Sequence, residues 1–111
     1  MDRDAAVSAL ASLAHDNRLS IFRLVVKRGA SGMRAGDIAR QVGLGATNAS
    51  FHLNELARSG LLRLRREGRY VCYSVDIDAM RKLLRYLIED CCQADMSFVT
   101  KLSEPRPSAA D

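Results

Sequence analysis

Two adjacent thiols, Cys91 and Cys92, are the residues in this 111-residue chain whose type and spacing most directly imply chemistry. Thiolates are soft ligands and select thiophilic ions over hard ones. A disulfide within the pair is disfavoured. Adjacent Cα atoms lie about 3.8 Å apart across a trans peptide, and unstrained disulfides begin at about 4.4 Å. In a regular helix neighbouring side chains point about 100° apart, so two such sulfurs meet one atom only where the helix loosens. A loosened helix end near Cys92 is therefore expected. The bland alternative makes Cys91 a small core hydrophobe and Cys92 incidental. The third cysteine, Cys72, is distant in sequence and is either a spectator or a third ligand. An odd count with two neighbours does not fit a secreted disulfide framework, and reduced thiols in a cytoplasm are expected.

A second set of residues suits another partner. Fourteen of the seventeen basic residues are Arg, whose planar fork of donors matches phosphate oxygens and guanine edges. A formal charge of +4 describes many proteins, but here it is concentrated. Arg58, Arg63, Arg65, Arg66 and Arg69 accompany a single acidic residue, Glu67, so this stretch carries an excess equal to that of the whole chain. Just upstream, Thr47, Asn48 and Ser50, continuing to His52 and Asn54, form a run of short hydrogen-bonding side chains. Such a run lets a helix approach base edges closely.

The elements that must position these groups are readable from periodicity. Ala5, Ala6, Val7, Leu10, Leu13 and Ala14 have helical spacing and predict a first helix ending near His15, a capping or packing residue. Asp16 or Asn17 can cap a second helix in which Leu19, Phe22, Val25 and Val26 share a face, with Gly29 as its stop. After the loop Ala30-Ser31-Gly32, a third helix runs from Arg34 to Val42. Gly43-Leu44-Gly45 interrupts it, and a fourth, with Ala49, Phe51, Leu53 and Leu56 as its apolar positions, begins at Ala46 and is stopped by Gly60. The period then becomes two: Leu62-Arg63-Leu64-Arg65, a turn at Glu67-Gly68, and Val71, Tyr73, Val75 predict a two-stranded hairpin. Asp76 or Asp78 can cap a last helix with the stripe Ile77, Met80, Leu84, Leu87, Ile88 and Cys91, the expected dimer element.

Helix, tight turn, helix and basic hairpin, in that order, predict a mainly α, winged helix-turn-helix fold with a β-hairpin wing. In that arrangement Thr47, Asn48, Ser50, His52 and Asn54 face double-stranded DNA, and Arg63, Arg65, Arg66 and Arg69 hold phosphate or the minor groove. A solvated helix face and a charge-blunted edge hairpin is the alternative. The length suits one domain, assigned to residues 1–92, with 93–111 a largely flexible tail carrying Pro105 and Pro107. At 48% hydrophobic and 27% charged residues, most of the chain is expected to fold. Three Phe, three Tyr and no Trp make a stacking platform for single strands a poor fit. No apolar run approaches the roughly 18 residues of a bilayer span, so no membrane role is expected.

Ala14-His15-Asp16-Asn17-Arg18-Leu19-Ser20-Ile21, Asp37-Ile38-Ala39, Ser50-Phe51-His52-Leu53-Asn54-Glu55-Leu56, Ser59-Gly60-Leu61-Leu62 and Arg66-Glu67-Gly68-Arg69 with Tyr73 resemble the ArsR/SmtB metalloregulators. The resemblance covers roughly residues 5 to 92. It implies a cytoplasmic, homodimeric winged-helix repressor that binds operator DNA and leaves it when a metal or metalloid arrives, with no permanent cofactor. The Cys-x-Cys of members that sense arsenic through the first helix of the DNA-binding pair is replaced by Met33-Arg34-Ala35-Gly36-Asp37. Zinc across the last helix is disfavoured because His15 and His52 both lie outside it. Cys91 and Cys92 resemble the C-terminal Cys-Cys site of arsenic-responsive members, implying trivalent arsenic, as arsenite or an organoarsenical, as inducer, and antimony(III) beside it. Two thiolates without a third suit methylated or aryl arsenicals at least as well as arsenite.

Three rivals stand beside this reading. A winged-helix thiol redox sensor would pair Cys72 with Cys91 or Cys92, and another regulator would answer a different thiophilic metal. A thiol enzyme would need a base beside Cys91 or Cys92, and none can be named, so the chain is not expected to be an enzyme.

Overall fold

The computed structural model describes residues 1–92, with the side chains of the last four, 89–92, outside the description. Helix α1 spans Arg3–Leu13, and the Asp2 carboxylate caps it by accepting from the Ala5 N–H at 2.8 Å. Helix α2 spans Asp16–Arg28. Its cap is His15 rather than Asp16 or Asn17: the imidazole Nδ1 accepts from the Asn17 N–H at 3.1 Å. A 3₁₀ turn over Gly29–Ser31 leads to strand β1, Met33–Arg34, and then to α3, Ala35–Val42. Helix α4 is Ala46–Arg58, the strands β2 and β3 are Leu62–Glu67 and Tyr70–Val75, and α5 is Ile77–Cys92. Asp76 caps α5, its carboxylate accepting from the Ala79 N–H at 3.0 Å.

The mainly α fold with a β-hairpin wing is as anticipated, with one strand more. The sheet has three antiparallel strands in the order β1-β3-β2, with Met33 opposite Tyr73 and Arg34 opposite Cys72. Arg34 therefore belongs to a strand edge and not to α3. Two residues are too few for alternation to register in sequence, and pairing with β3 alone reveals them.

The core forms where α2, α3 and α4 meet the sheet: Ile21, Val25, Ile38, Leu53, Leu56 and Leu61 are fully buried, joined by Met33, Tyr73 and Val75. Burial of such side chains is worth about 1.5–3 kcal/mol each. Two expected faces are rotated. On α2 the buried positions are Ile21, Phe22 and Val25, while Leu19 and Val26 are exposed. On α5 it is Leu83 that enters the core, and Ile77, Leu84 and Leu87 of the apolar stripe stand exposed. Val7 and Leu10 of α1 are also exposed, and α1 packs against α5. The α5 backbone remains helical through Cys92, so the loosening expected there is not found up to that residue. The tail over 93–111 lies outside the described residues.

Candidate nucleic-acid interface

Local sequence sets the angle between α3 and α4. Gly43 closes α3 in the left-handed conformation (φ 73°), where an L side chain is disfavoured, and the Leu44 N–H reaches back to the Ala39 carbonyl at 3.0 Å. The chain then restarts as α4 within three residues. Ala49, Leu53 and Leu56 anchor α4 in the core, which turns Thr47, Asn48, Ser50 and Asn54 outward as exposed side chains. Four of the five expected α4 residues thus share the accessible surface.

His52 is the fifth, and it is a correction. It is only 4% exposed, packed towards α2 and not towards solvent. Its Nδ1 lies 3.4 Å from an Arg18 guanidinium nitrogen, and its ring centroid is 4.6 Å from that of His15. Arginine has donors only, so Nδ1 must accept and the imidazole is neutral with its proton on Nε2. Arg18 is held in turn by donating to the Ser12 carbonyl at 2.7 Å. Burial, His15 and Arg18 together keep the His52 pKa below the ordinary histidine value. This cluster locks α4 onto α2 and the end of α1. The same helix carries a residue that the apolar pattern misassigned: Phe51 is 56% exposed, not core. The signal was its position next to Ser50 on a helix whose core spacing is already met by Ala49, Leu53 and Leu56.

The wing follows α4 in the chain, and β2 packs against that helix. A two-residue turn, Gly68-Arg69, joins β2 to β3, with Glu67 opposite Tyr70. Arg63, Arg65, Arg66 and Arg69 are all exposed, as expected. They are not equivalent. Arg63 sits 3.4 Å from the Asp76 carboxylate and Arg65 sits 3.0 Å from that of Glu67, whereas among the described residues Arg66 and Arg69 have no carboxylate partner. Arg34 adds a cation not anticipated for the wing, its guanidinium 4.0 Å from the centre of the Tyr70 ring, with Arg69 at 6.0 Å. The wing and α4 are connected: the Tyr73 hydroxyl donates to the Asn54 side-chain carbonyl at 3.4 Å. Burial pushes the Tyr73 pKa up, with Arg66 pulling the other way, so the phenol stays protonated as a donor. On α4 itself the hydrogen bond from Arg58 holds the Glu55 carboxyl below its usual range.

The helix-turn-helix domain family matches residues 13–65. Over 83 residues the chain is 34% identical to the nodulation protein NolR of Rhizobium meliloti, a span of 75% of this chain and 66% of that protein. The homodimeric winged helix-turn-helix DNA-binding domain of a possible ArsR-family regulator from Mycobacterium bovis superposes with a TM-score of 0.64 at 29% identity, covering 78% of this chain and 80% of that one. The AntR antimony-specific transcriptional repressor superposes at 0.58 with 31% identity, covering 78% and 79%. The chain belongs to the ArsR family of winged helix-turn-helix transcriptional regulators. The ArsR-family and transcriptional proteins it matches are regulators and not enzymes.

In this ArsR-family chain Cys72 faces away from the core side of the sheet, 4% exposed, opposite Arg65. Its thiol lies 3.6 Å from the Ser31 carbonyl and 3.5 Å from the Arg65 guanidinium, at the edge of an open cleft of about 390 Å³ also lined by Arg28 and Arg34. The side chains of Cys91 and Cys92 lie outside the described residues, so the expected thiol site is placed only by its backbone, in the last turn of α5. Among the described residues no helix is long and apolar enough to cross a membrane.

Proposed function

We propose that the protein is a cytoplasmic, homodimeric repressor that holds double-stranded operator DNA and releases it when Cys91 and Cys92 bind a trivalent arsenical or antimony(III). The observation that carries the DNA half is the juxtaposition of an uncharged polar surface on α4 (Thr47, Asn48, Ser50, Asn54) with an exposed basic wing, coupled through Tyr73 and Asn54. Here α4 enters the major groove, and Arg66 and Arg69 take phosphate or the minor groove. Exposed Ile77, Leu84 and Leu87 on α5, with Val7 and Leu10 on α1, supply the apolar area a second copy would cover. The homodimeric Mycobacterium bovis domain supports that state.

The inducer half rests on the vicinal thiols at the end of the same helix, and the antimony-specific repressor among the relatives lends it support. A metalloid bridging thiolates there changes the end of the dimer element and with it the spacing of the two reading helices. A full shift from 1:99 to 99:1 requires about 5.5 kcal/mol of differential binding, within reach of several metalloid–sulfur bonds, and the thiols lose their protons as they bind. The test is anisotropy of a labelled operator duplex with arsenite, methylarsenite, antimonite, zinc and cadmium, for the wild type and for Cys91→Ser/Cys92→Ser. Release by arsenite, methylarsenite and antimonite that the double variant loses is expected. Normal release by the double variant would remove the inducer assignment.

A further inference from the structure

We infer that Phe51 reads the C5-methyl group of a thymine in the major groove and is a specificity-determining residue of the DNA interface. The inference deepens the reading of α4 as the DNA-reading helix and rests on it. Phe51 is 56% exposed in the middle of α4. Helical spacing sets it beside Thr47 and Asn48, four and three residues before, and Asn54, three residues after, all of them exposed. It is therefore the one large apolar side chain within the polar surface of that helix.

Its ring is also braced. Phe51 meets the buried His52 ring edge-on, at 70° and 5.4 Å between centroids, and His52 is itself fixed by Arg18 and His15. The ring thus stands out from the reading surface instead of folding back to the core. Thr47, Asn48, Ser50 and Asn54 are short, so a helix carrying them comes close enough to base edges for a phenyl ring to touch them. Phenylalanine has no hydrogen-bond donor or acceptor, and the major groove offers one apolar feature among its base edges, the thymine methyl. Opposite cytosine the same ring would cover the N4 amino donor without pairing it, which disfavours that base.

The full-length protein is used to select duplexes from a randomised pool, and each thymine of the selected duplex is then replaced singly by deoxyuridine, which removes the methyl and nothing else. At one thymine per half-site the replacement is expected to weaken wild-type binding about fourfold, the worth of one buried methyl group. Phe51→Ala should bind the thymine duplex more weakly and be insensitive to deoxyuridine at that position, and Phe51→Leu should retain part of the sensitivity. If no thymine distinguishes wild type from Phe51→Ala, the inference is overturned while α4 remains the reading helix. If selection yields no preferred duplex at all, the reading of α4 falls and this inference with it.

Discussion

The four wing arginines differ in a way that a salt titration resolves. Log Kd for duplex DNA changes with log salt by about 0.9 for each phosphate contact that releases a condensed counterion. Arg66 and Arg69 have no carboxylate partner among the described residues, so each phosphate they take releases a cation outright. Arg63 and Arg65 are paired with Asp76 and Glu67. While either stays on its carboxylate it takes no phosphate, so no condensed cation is released on its account. In a dimer each substitution acts twice, so Arg66→Gln should lower the slope by about 1.8 and Arg66→Gln/Arg69→Gln by about 3.6. Between 50 and 200 mM salt, a fourfold change, the double variant should then lose about 150-fold less affinity than the wild type. Arg63→Gln/Arg65→Gln should leave the slope nearly unchanged even where it weakens binding. Fluorescence anisotropy of one operator duplex over a series of salt concentrations measures all four proteins. Equal slopes for the two double variants would refute the argument, because they would mean that the carboxylates do not govern which arginines meet DNA.

Two further outcomes concern stability. Gly32 and Gly43 both have positive φ, near 71° and 73°, but a Cβ on Gly32 would run into the Tyr73 carbonyl oxygen and come within 3.0 Å of Ser74 Cβ, whereas at Gly43 it would meet nothing within 4 Å. Gly43→Ala should cost about 1–2 kcal/mol for its backbone conformation alone, and Gly32→Ala clearly more because β1 must separate from β3; urea midpoints of the two variants check the order. For His52 the folded pKa lies below the ordinary value near 6.5, so the unfolded chain takes up a proton that the folded chain resists. Unfolding free energy contributed by this group therefore rises with pH between the folded and unfolded values and is lost as pH falls through about 6.5. His52→Gln, compared with wild type in thermal melts from about pH 7.5 to about pH 5.5, should show a shallower decline; parallel declines would rule out His52 as the source.

What the sequence disclosed and what it withheld divide along a physical line. Elements whose pattern is local were legible: Gly43 and Gly60 at helix ends, the switch from helical spacing to alternation at Leu62, and the clustering of arginine on the wing all depend on neighbours within a few residues. What stayed hidden depends on which side of an element meets the rest of the chain. A helix with two plausible apolar faces, as in Leu19 and Val26 against Ile21, is resolved only by the partner it packs on. His52 looked like a DNA ligand because a polar residue in a polar run reads as solvent-facing. Its burial becomes acceptable only because Arg18, six residues from the Ser12 carbonyl it grips and 34 from His52, supplies the donor the imidazole needs. Phe51 is the converse, an apolar side chain left outside because Ala49, Leu53 and Leu56 already fill the core side of α4. Both misplacements fall on α4, where local preference and tertiary demand part, and that is where functional constraint is expected to concentrate.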